Sequence, residues 1–339
     1  MRSTFLMRKA KQVTRMEMKF KINKWPRYLC ALLLIVFVLV VSFAKDGKEE
    51  KEIIFISKTI DESVGFWDSM MNGANMAAKE YGIHLTVMGP GAETEYEEQG
   101  RLIREAIALK PDAIILAPSS YTETVPYAKE IEGSKIEFVL VDSLMEEAMG
   151  RLVVATDNVE AGRKMGDYIK ENVSGNVSIG VVGHVKGSST AVEREAGLRE
   201  GLKELESQIT DVVFCDSDYI KAYQVTKEML KKNPNINVIA GLNEYSSVGA
   251  AQAVVELDLE DEIFMVGFDS SIKEVEYLEA EVFDAIVVQK PLNMGYLAVE
   301  NTVKLLQNKE IPQDIDSGSA LITKDTMYSP ENQKLLFPF

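Results

Sequence analysis

Eight residues of this sequence combine two kinds of chemistry: flat aromatic rings, and groups that make paired hydrogen bonds. Carboxylates accept from two donors, amides both donate and accept, and a guanidinium presents several donors in one plane. Together these groups suit a small molecule with many hydroxyls, and none of them is an obvious group for breaking one. The candidate ligand-binding residues are Phe66, Trp67, Asp142, Arg194, Tyr219, Asn243, Asp269 and Gln289.

From residue 52 onward, apolar runs of strand length alternate with amphipathic stretches of helix length. Most runs are nearly continuous in Val, Ile, Leu and Phe, a pattern typical of parallel strands covered on both faces. The alternation predicts repeated right-handed βαβ units, and eleven strands favour two Rossmann-like lobes, each a parallel sheet with helices on both faces. The predicted strands are 52–57, 83–88, 112–117, 136–141, 152–155, 176–182, 211–215, 236–240, 262–267, 283–288 and 320–323.

The candidate residues lie in these strands, or in the loop or first helical turn that follows one. Asp142, Asn243 and Asp269 come shortly after predicted strands, and Gln289 lies at the end of another. The carboxyl ends of parallel strands meet at one edge of a sheet, which is where open α/β sheets bind ligands. We therefore expect two lobes that face each other across a cleft containing these side chains.

Charge is distributed unevenly along the 339 residues, whose net charge is −16. Residues 1–27 carry nine Lys or Arg and one acid, so this head is about +8 and the rest about −24. Such an acidic body disfavours nucleic-acid binding, because phosphate contacts need clustered cations. Residues 28–44 are uncharged and follow the basic head, which predicts either an export signal or an uncleaved membrane anchor. The chain after Lys45 is then expected outside the cytoplasm.

The sequence offers little for catalysis or metal binding. Its two histidines, His84 and His184, are a hundred residues apart, and its two cysteines, Cys30 and Cys215, form no metal-binding pair. The segment 183–190 resembles a phosphate loop only in composition, so we interpret it as the loop before a helix. No cofactor and no metal are predicted. We expect a binding protein rather than an enzyme, with an exported hydrolase as the alternative.

Seven short segments occur in a fixed order, each near a predicted strand end or helix start. They are F-W-D-S-M-M-N-G-A (66–74), F-V-L-V-D (138–142), A-T-D-N-V-E-A-G (155–162), E-R-E-A-G-L (193–198), A-G-L-N-E (240–244), M-V-G-F-D (265–269) and A-I-V-V-Q-K-P (285–291). From 52 to about 325 the chain resembles the ribose-type sugar-binding proteins of ABC importers, the class I periplasmic binding proteins. Their ligand domain is shared with the LacI-type repressors.

The resemblance implies that an aromatic pair, Phe66 and Trp67, sandwiches a sugar ring, with Tyr219 approaching from the second lobe. Packing of the pair in the core at a helix start is the structural alternative. Before Tyr219 the chain is about two residues shorter than the ribose pattern. Asp142 is implied to accept two hydroxyls, or alternatively to cap a helix at 144–149. Ser143 replaces the arginine of the ribose pattern, which argues against ribose itself.

Four further ligand contacts are implied by the same resemblance. The Arg194 fork would bridge two sugar oxygens, although a surface pair with a nearby glutamate is the alternative. Asn243 and Gln289 would bind adjacent hydroxyls, and Gln289 could instead be a hinge residue. Asp269 would accept a hydroxyl or cap the helix that follows it.

The resemblance also implies three crossings between the lobes, near 156–158, 289–291 and 316–320. The expected organisation is a basic cytoplasmic head (1–27), a signal peptide or anchor (28–44), a linker (45–51), a first lobe (52–156 plus 290–316), a second lobe (157–289 plus 317–328) and a tail (329–339).

We expect a monomeric, extracytoplasmic protein that captures a monosaccharide in the cleft, closes on it and delivers it to an ABC permease. If residues 28–44 stay uncleaved, the alternative is a membrane-tethered sugar sensor that signals to a histidine kinase. A furanosyl signalling molecule is a further candidate ligand. A repressor is excluded, because no helix-turn-helix precedes the lobes, and no nucleic-acid partner is expected.

Overall fold

The computed structural model describes residues 50–61 and 64–337. The predictions for the basic head, for the apolar run 28–44 and for most of the linker fall outside these residues, as do the last two residues of the tail. Across the described ranges, no helix has the length and apolar content needed to cross a bilayer.

Twelve strands in the described residues form two six-stranded sheets. Eleven of them overlap the predicted runs, whereas the apolar pattern does not predict β11, because its sequence Asp-Ile-Asp is largely polar. The strands are β1 (Lys51–Ile56), β2 (Ile83–Met88), β3 (Ala113–Leu116), β4 (Glu137–Val141), β5 (Val153–Ala155), β6 (Ile179–Gly183), β7 (Ile209–Phe214), β8 (Val238–Gly241), β9 (Phe264–Phe268), β10 (Ala285–Gln289), β11 (Asp314–Asp316) and β12 (Ser319–Ile322).

Helices connect the strands and cover both sheets. They are α1 (Gly65–Tyr81), α2 (Tyr96–Leu109), α3 (Val125–Glu132), α4 (Asn158–Asn172), α5 (Ser189–Leu202), α6 (Tyr219–Lys232), α7 (Glu244–Glu256), α8 (Ile272–Glu279), α9 (Pro291–Leu306) and α10 (Pro330–Leu336). A short 3₁₀ helix, Lys203–Gln208, follows α5.

The first sheet has the order β11-β5-β4-β3-β1-β2 and the second β12-β10-β9-β8-β6-β7. Neighbouring strands are parallel, except that β12 runs antiparallel to β10. Central strands such as β3 and β8 are buried along their whole length, as expected for sheets covered on both faces. The predicted fold class of two α/β lobes is confirmed.

The chain passes between the lobes at three places. After β5 of the first sheet, helix α4 buries Met165 and Ile169 against the second sheet. After β10 of the second sheet, helix α9 buries Met294 and Ala298 in the first lobe. Two residues then separate β11 of the first sheet from β12 of the second. Each lobe is therefore built from separate segments of the sequence.

Close packing joins two of the helices whose first turns line the cleft to their neighbours. A Cβ added to Gly73 of α1 would lie 1.9 Å from the carbonyl oxygen of Leu292, at the start of α9. A Cβ added to Gly197 of α5 would lie 1.9 Å from the carbonyl oxygen of Val159 in α4. Both glycines are needed for these approaches, because any larger residue would push the paired helices apart.

Candidate ligand-binding cleft

A polar cleft lies between the lobes, at the carboxyl ends of the strands. It holds roughly 350 Å³ of unoccupied space, including its opening to solvent. The residues that line it are Lys58, Val64, Phe66, Trp67, Glu93, Asp142, His184, Thr190, Arg194, Asn243, Glu244, Tyr245, Asp269 and Gln289. Seven of the eight predicted residues are in this set, and Tyr219 is not. We call the first-lobe residues (Lys58, Val64, Phe66, Trp67, Glu93, Asp142) the first wall, and the others the second wall.

A buried ion pair dominates the first wall. The Nζ atom of Lys58 lies 2.7 Å from Oδ2 of Asp142, and the two side chains are 6% and 4% exposed. The Ser143 hydroxyl donates to the same carboxylate at 2.7 Å. Asp142 has a left-handed backbone with φ of 66°, a conformation that costs energy in residues other than glycine. No helix forms at 144–149, so the capping alternative for Asp142 is wrong.

The aromatic pair begins helix α1 and also belongs to the first wall. The Phe66 and Trp67 rings pack edge to face, with centroids 5.1 Å apart. Trp67 is buried in the core of the first lobe, and its Nε1–H donates to Oε1 of Glu93 at 2.8 Å. The Nζ atom of Lys58 lies 6.0 Å from the centre of the Trp67 ring. Trp67 therefore lines the cleft and packs in the core at once.

Arg194 is the buried cation of the second wall and is 3% exposed. Its Nε–H donates to Oδ1 of Asn158 at 2.9 Å, and an Nη1–H donates to the carbonyl oxygen of Leu242 at 2.8 Å. Its guanidinium carbon lies 3.9 Å from the centre of the Phe268 ring. These partners hold the fork in one orientation. The alternative of a surface pair is wrong, because the neighbouring Glu195 pairs with Arg199 instead.

Strand ends and helix caps position the other polar groups of the second wall. Asn243 caps α7, and its Oδ1 accepts from the N–H of Ser246 at 2.9 Å. Asp269 accepts from the N–H of Glu244 at 2.9 Å and from Nε2 of Gln289 at 2.7 Å. Helix α8 is capped by Ser271, so Asp269 does not cap the helix that follows it. Burial raises the pKa of the Asp269 carboxyl, although nearby Arg194 opposes this shift.

Tyr219 lies beside the cleft, in an adjoining groove that holds roughly 1980 Å³ of unoccupied space, including its opening to solvent. Its ring stacks on that of Tyr245, with centroids 4.6 Å apart, and Tyr245 lines the cleft in its place. The Tyr219 hydroxyl donates to Oε1 of Glu244 at 2.5 Å. Burial raises the pKa of Glu244 to about 7, and the hydrogen bond from Tyr219 opposes the shift.

Three of the hydrogen bonds that join the lobes lie around the cleft, away from the hinge segments. The Ser217 hydroxyl donates to Oε2 of Glu93 at 2.6 Å. The N–H of Phe66 donates to Oε2 of Glu244 at 3.3 Å. The third runs between the lobes from the N–H of Leu144 to Oγ of Ser189 at 2.9 Å. We call these three contacts the interlobe clasps.

Several cleft residues lie outside the predicted set. Lys58 and His184 come just after β1 and β6, so the strand-end rule that identified Asp142 would also have identified them. Glu93 lies in the longer loop after β2, where no pattern marked it. No group of three or more metal-binding side chains occurs in the described part of the chain.

The chain matches the family model described as a periplasmic binding protein domain over residues 53–310. The D-allose-binding periplasmic protein of Escherichia coli K12 is 26% identical over 303 residues, which cover 86% of this chain and 95% of that protein.

Solved structures resemble the whole described fold. A crystal structure of a sugar transporter from Clostridium phytofermentans is 45% identical, covers 81% of this chain and 100% of its own, and has a TM-score of 0.78. A solute-binding protein of an ABC transporter from Agrobacterium vitis, solved with bound D-fucose, is 27% identical with a TM-score of 0.79, covering 84% and 100%. With two such lobes around a polar cleft and a family match over most of its length, this chain belongs to the periplasmic binding proteins.

Proposed function

We propose that this protein is an extracytoplasmic substrate-binding protein that captures a monosaccharide between its lobes for ABC import. The observation that carries the proposal is the cleft itself, where both walls present hydrogen-bonding groups beside aromatic rings. Buried polar groups that lose their partners cost about 1–3 kcal/mol each, so such a cleft rejects molecules that lack matching hydroxyls.

The ligand is proposed to contact residues of both walls. The aromatic pair Phe66 and Trp67 offers flat faces to the sugar ring, while Asp142 and Arg194 bind its hydroxyls. In the ribose pattern, the cation beside the aspartate is an arginine at the position that Ser143 occupies in this chain. Here the Lys58 ammonium is the cation beside Asp142. An ammonium is a point charge rather than a planar fork, which favours a sugar other than ribose.

Asn243, Asp269 and Gln289 are proposed to complete the contacts. The Nδ2 donors of Asn243 are available to a ligand, because its cap uses only Oδ1. The relatives support this ligand class, since one is described as binding D-allose and another was solved with D-fucose. Members of the family are binding proteins, which supports a role without catalysis.

Binding is proposed to be coupled to closure of the lobes. The hinge would be the three crossings near 156–158, 289–291 and 316–320. The Thr156 hydroxyl, in the first crossing, donates to Oε1 of Gln289, in the second crossing, at 2.7 Å. This bond links two hinge segments directly. The interlobe clasps would then stabilise the closed form around the sugar.

Calorimetry against D-allose, D-galactose, D-fucose, D-ribose and D-arabinose tests the proposal. We expect saturable binding of at least one sugar. Asp142→Ala and Arg194→Ala should each weaken it by more than about 2 kcal/mol, because each removes a buried charged hydrogen bond. The matched control is Asp112→Ala, which breaks an exposed ion pair with Lys51 in the same lobe and should leave affinity unchanged. A folded protein that binds none of these sugars, nor any other small polar molecule, would contradict the proposal.

The same ligand site would also serve a membrane-tethered sensor that signals to a histidine kinase. The apolar run 28–44 has no cysteine where a lipid-modified cleavage site would need one, so if this run stays uncleaved it would tether the lobes to the membrane, as this second candidate requires. The intact mass of the protein isolated from its host separates the two. Loss of the residues up to Ala44 supports a released transport component, and their retention supports a tethered one.

A further inference from the structure

His184 lines the cleft, but no sequence motif assigns it a role. It follows β6 directly and is 3% exposed. Its Nδ1 atom is buried and has no hydrogen-bond partner among the described residues. By contrast, both oxygens of the Asp269 carboxylate in the same cleft have donors.

Two hydroxyls contact the other ring nitrogen of this imidazole. Nε2 of His184 lies 2.9 Å from Oγ1 of Thr190 and 3.3 Å from Oγ of Ser188. The Ser188 hydroxyl donates its proton to the carbonyl oxygen of Val185 at 3.0 Å, so toward the ring it can only accept. With the proton on Nε2 the ring keeps both contacts, whereas with the proton on Nδ1 it would keep only the contact with Thr190 and would bury an unpaired N–H, so we assign the proton to Nε2. In a neutral imidazole the other nitrogen, Nδ1, is then a bare acceptor.

The electrostatic surroundings keep the ring neutral. Burial lowers the pKa of His184 well below its usual range, and the positive charges of Arg194 and Lys58 lower it further. Both cations line the same cleft and can only donate hydrogen bonds. An acceptor in the same cleft as two cationic donors suits a hydroxyl group, because a hydroxyl accepts and donates at once.

We propose that Nδ1 of His184 accepts a hydrogen bond from one hydroxyl of the bound ligand and so makes this residue a determinant of specificity. The inference rests on the proposed function and deepens it. The ligand class is a sugar or other polyol with a free O–H at this point. A deoxy, O-methyl or keto group there leaves Nδ1 without a donor, and such a ligand is rejected.

Calorimetry with modified sugars tests the inference. The probes are the monodeoxy and O-methyl derivatives of whichever panel sugar binds most tightly. We expect one position at which the wild type loses about ten- to a hundredfold in affinity. His184→Leu should lose a similar factor for the parent sugar and should no longer discriminate against the derivative at that position. His84→Leu is the matched control, because His84 is the other histidine of the sequence and is exposed on β2.

His184→Asn separates contact from packing, since the Asn carbonyl can supply an acceptor near the position of Nδ1. Partial recovery of the discrimination is expected. A His184→Leu protein that binds and discriminates like the wild type would overturn the inference while leaving the proposed function intact. A wild type that binds no sugar would overturn both.

Nitrogen-15 NMR tests the inference on the wild-type protein, so the result does not depend on whether a variant folds. Labelling of histidine alone gives signals from two side chains. We expect His184 to be neutral with its proton on Nε2, and its Nδ1 resonance to move toward the hydrogen-bonded position when the sugar is added, while His84 does not change. A proton on Nδ1, or an Nδ1 resonance that sugar leaves unmoved, would refute the assignment.

Discussion

The two walls of the cleft hold their charges by different means. In the first wall, the cation Lys58 and the anion Asp142 neutralise each other directly across 2.7 Å. In the second wall, no ion pair joins the charged cleft residues that the structure describes, and Arg194 and Asp269 are held by backbone groups and amides instead. Helix caps and strand ends provide most of these partners.

This difference indicates separate roles for the walls. Groups that are fixed by caps and strands keep their orientation whatever occupies the cleft, so the second wall is preorganised for its ligand. The first wall carries a charge pair whose members depend on one another, so a change to either member leaves the other buried without its counter-charge. The walls should therefore respond differently to substitution and to pH.

Lys58→Met is the substitution expected to have the largest effect. It leaves the Asp142 carboxylate buried without its cation, and we expect the free energy of unfolding to fall by about 3 kcal/mol or more. Lys51→Met removes an exposed pair with Asp112 of the same 2.7 Å length and should cost less than about 1 kcal/mol. Urea unfolding followed by circular dichroism measures both.

The double variant Lys58→Met with Asp142→Leu sharpens this test. Removing both charges should recover much of the lost stability, because no unpaired charge stays buried. Equal losses for the buried and the exposed pair would show that the first wall does not depend on mutual neutralisation.

The second wall is expected to make the free energy of unfolding depend on pH, with an effect smaller than that of Lys58→Met. The carboxyl of Glu244 faces Asp269, Tyr219 and Tyr245, and its pKa is raised from 4.5 to about 7 by burial. Between those values the folded protein holds a proton that the unfolded chain has lost. The contribution of this carboxyl to the free energy of unfolding is therefore fully present below pH 4.5. It falls by roughly 1–3 kcal/mol as the pH rises to about 7.

Glu244→Gln should flatten this decline without abolishing it, since burial also raises the pKa of Asp269 and of Glu274. Denaturant unfolding at a series of pH values measures the slope, and the exposed Glu171→Gln is the control. A slope that Glu244→Gln leaves unchanged, or a stability that rises over this range, would contradict the expectation.

The smallest expected effect concerns the interlobe clasps. Ser217→Ala removes the hydroxyl that reaches Glu93 across the cleft, and should disfavour the closed form by about 0.5–1.5 kcal/mol. Small-angle X-ray scattering without ligand should then give a larger radius of gyration. Ser178→Ala is the control, because the Ser178 hydroxyl bonds Thr210 within one lobe. If both variants scatter alike, the clasp does not affect closure.

Much of the cleft could be predicted because parallel strands bring their carboxyl ends to one edge. Asp142 and Asp269 directly follow strands, and both have left-handed backbones that turn the chain at that edge. Lys58 and His184 occupy equivalent positions, but neither forms a recognisable motif. Glu93 could not have been found from local sequence, because its loop reaches the cleft only through contacts with Trp67 and Ser217 from distant parts of the chain.

The sequence by itself determined the two lobes, because buried parallel strands require long apolar runs and each helix carries its own periodicity and caps. It also identified half of the residues that line the cleft. Only the tertiary structure decided which of them are free to meet a ligand. That outcome depends on hydrogen bonds between residues far apart in the chain, such as the bond of Asp269 to Gln289, and no local pattern records those partners. The same dependence explains why Tyr219 lies beside the cleft, and why Nδ1 of His184 has no partner among the described residues.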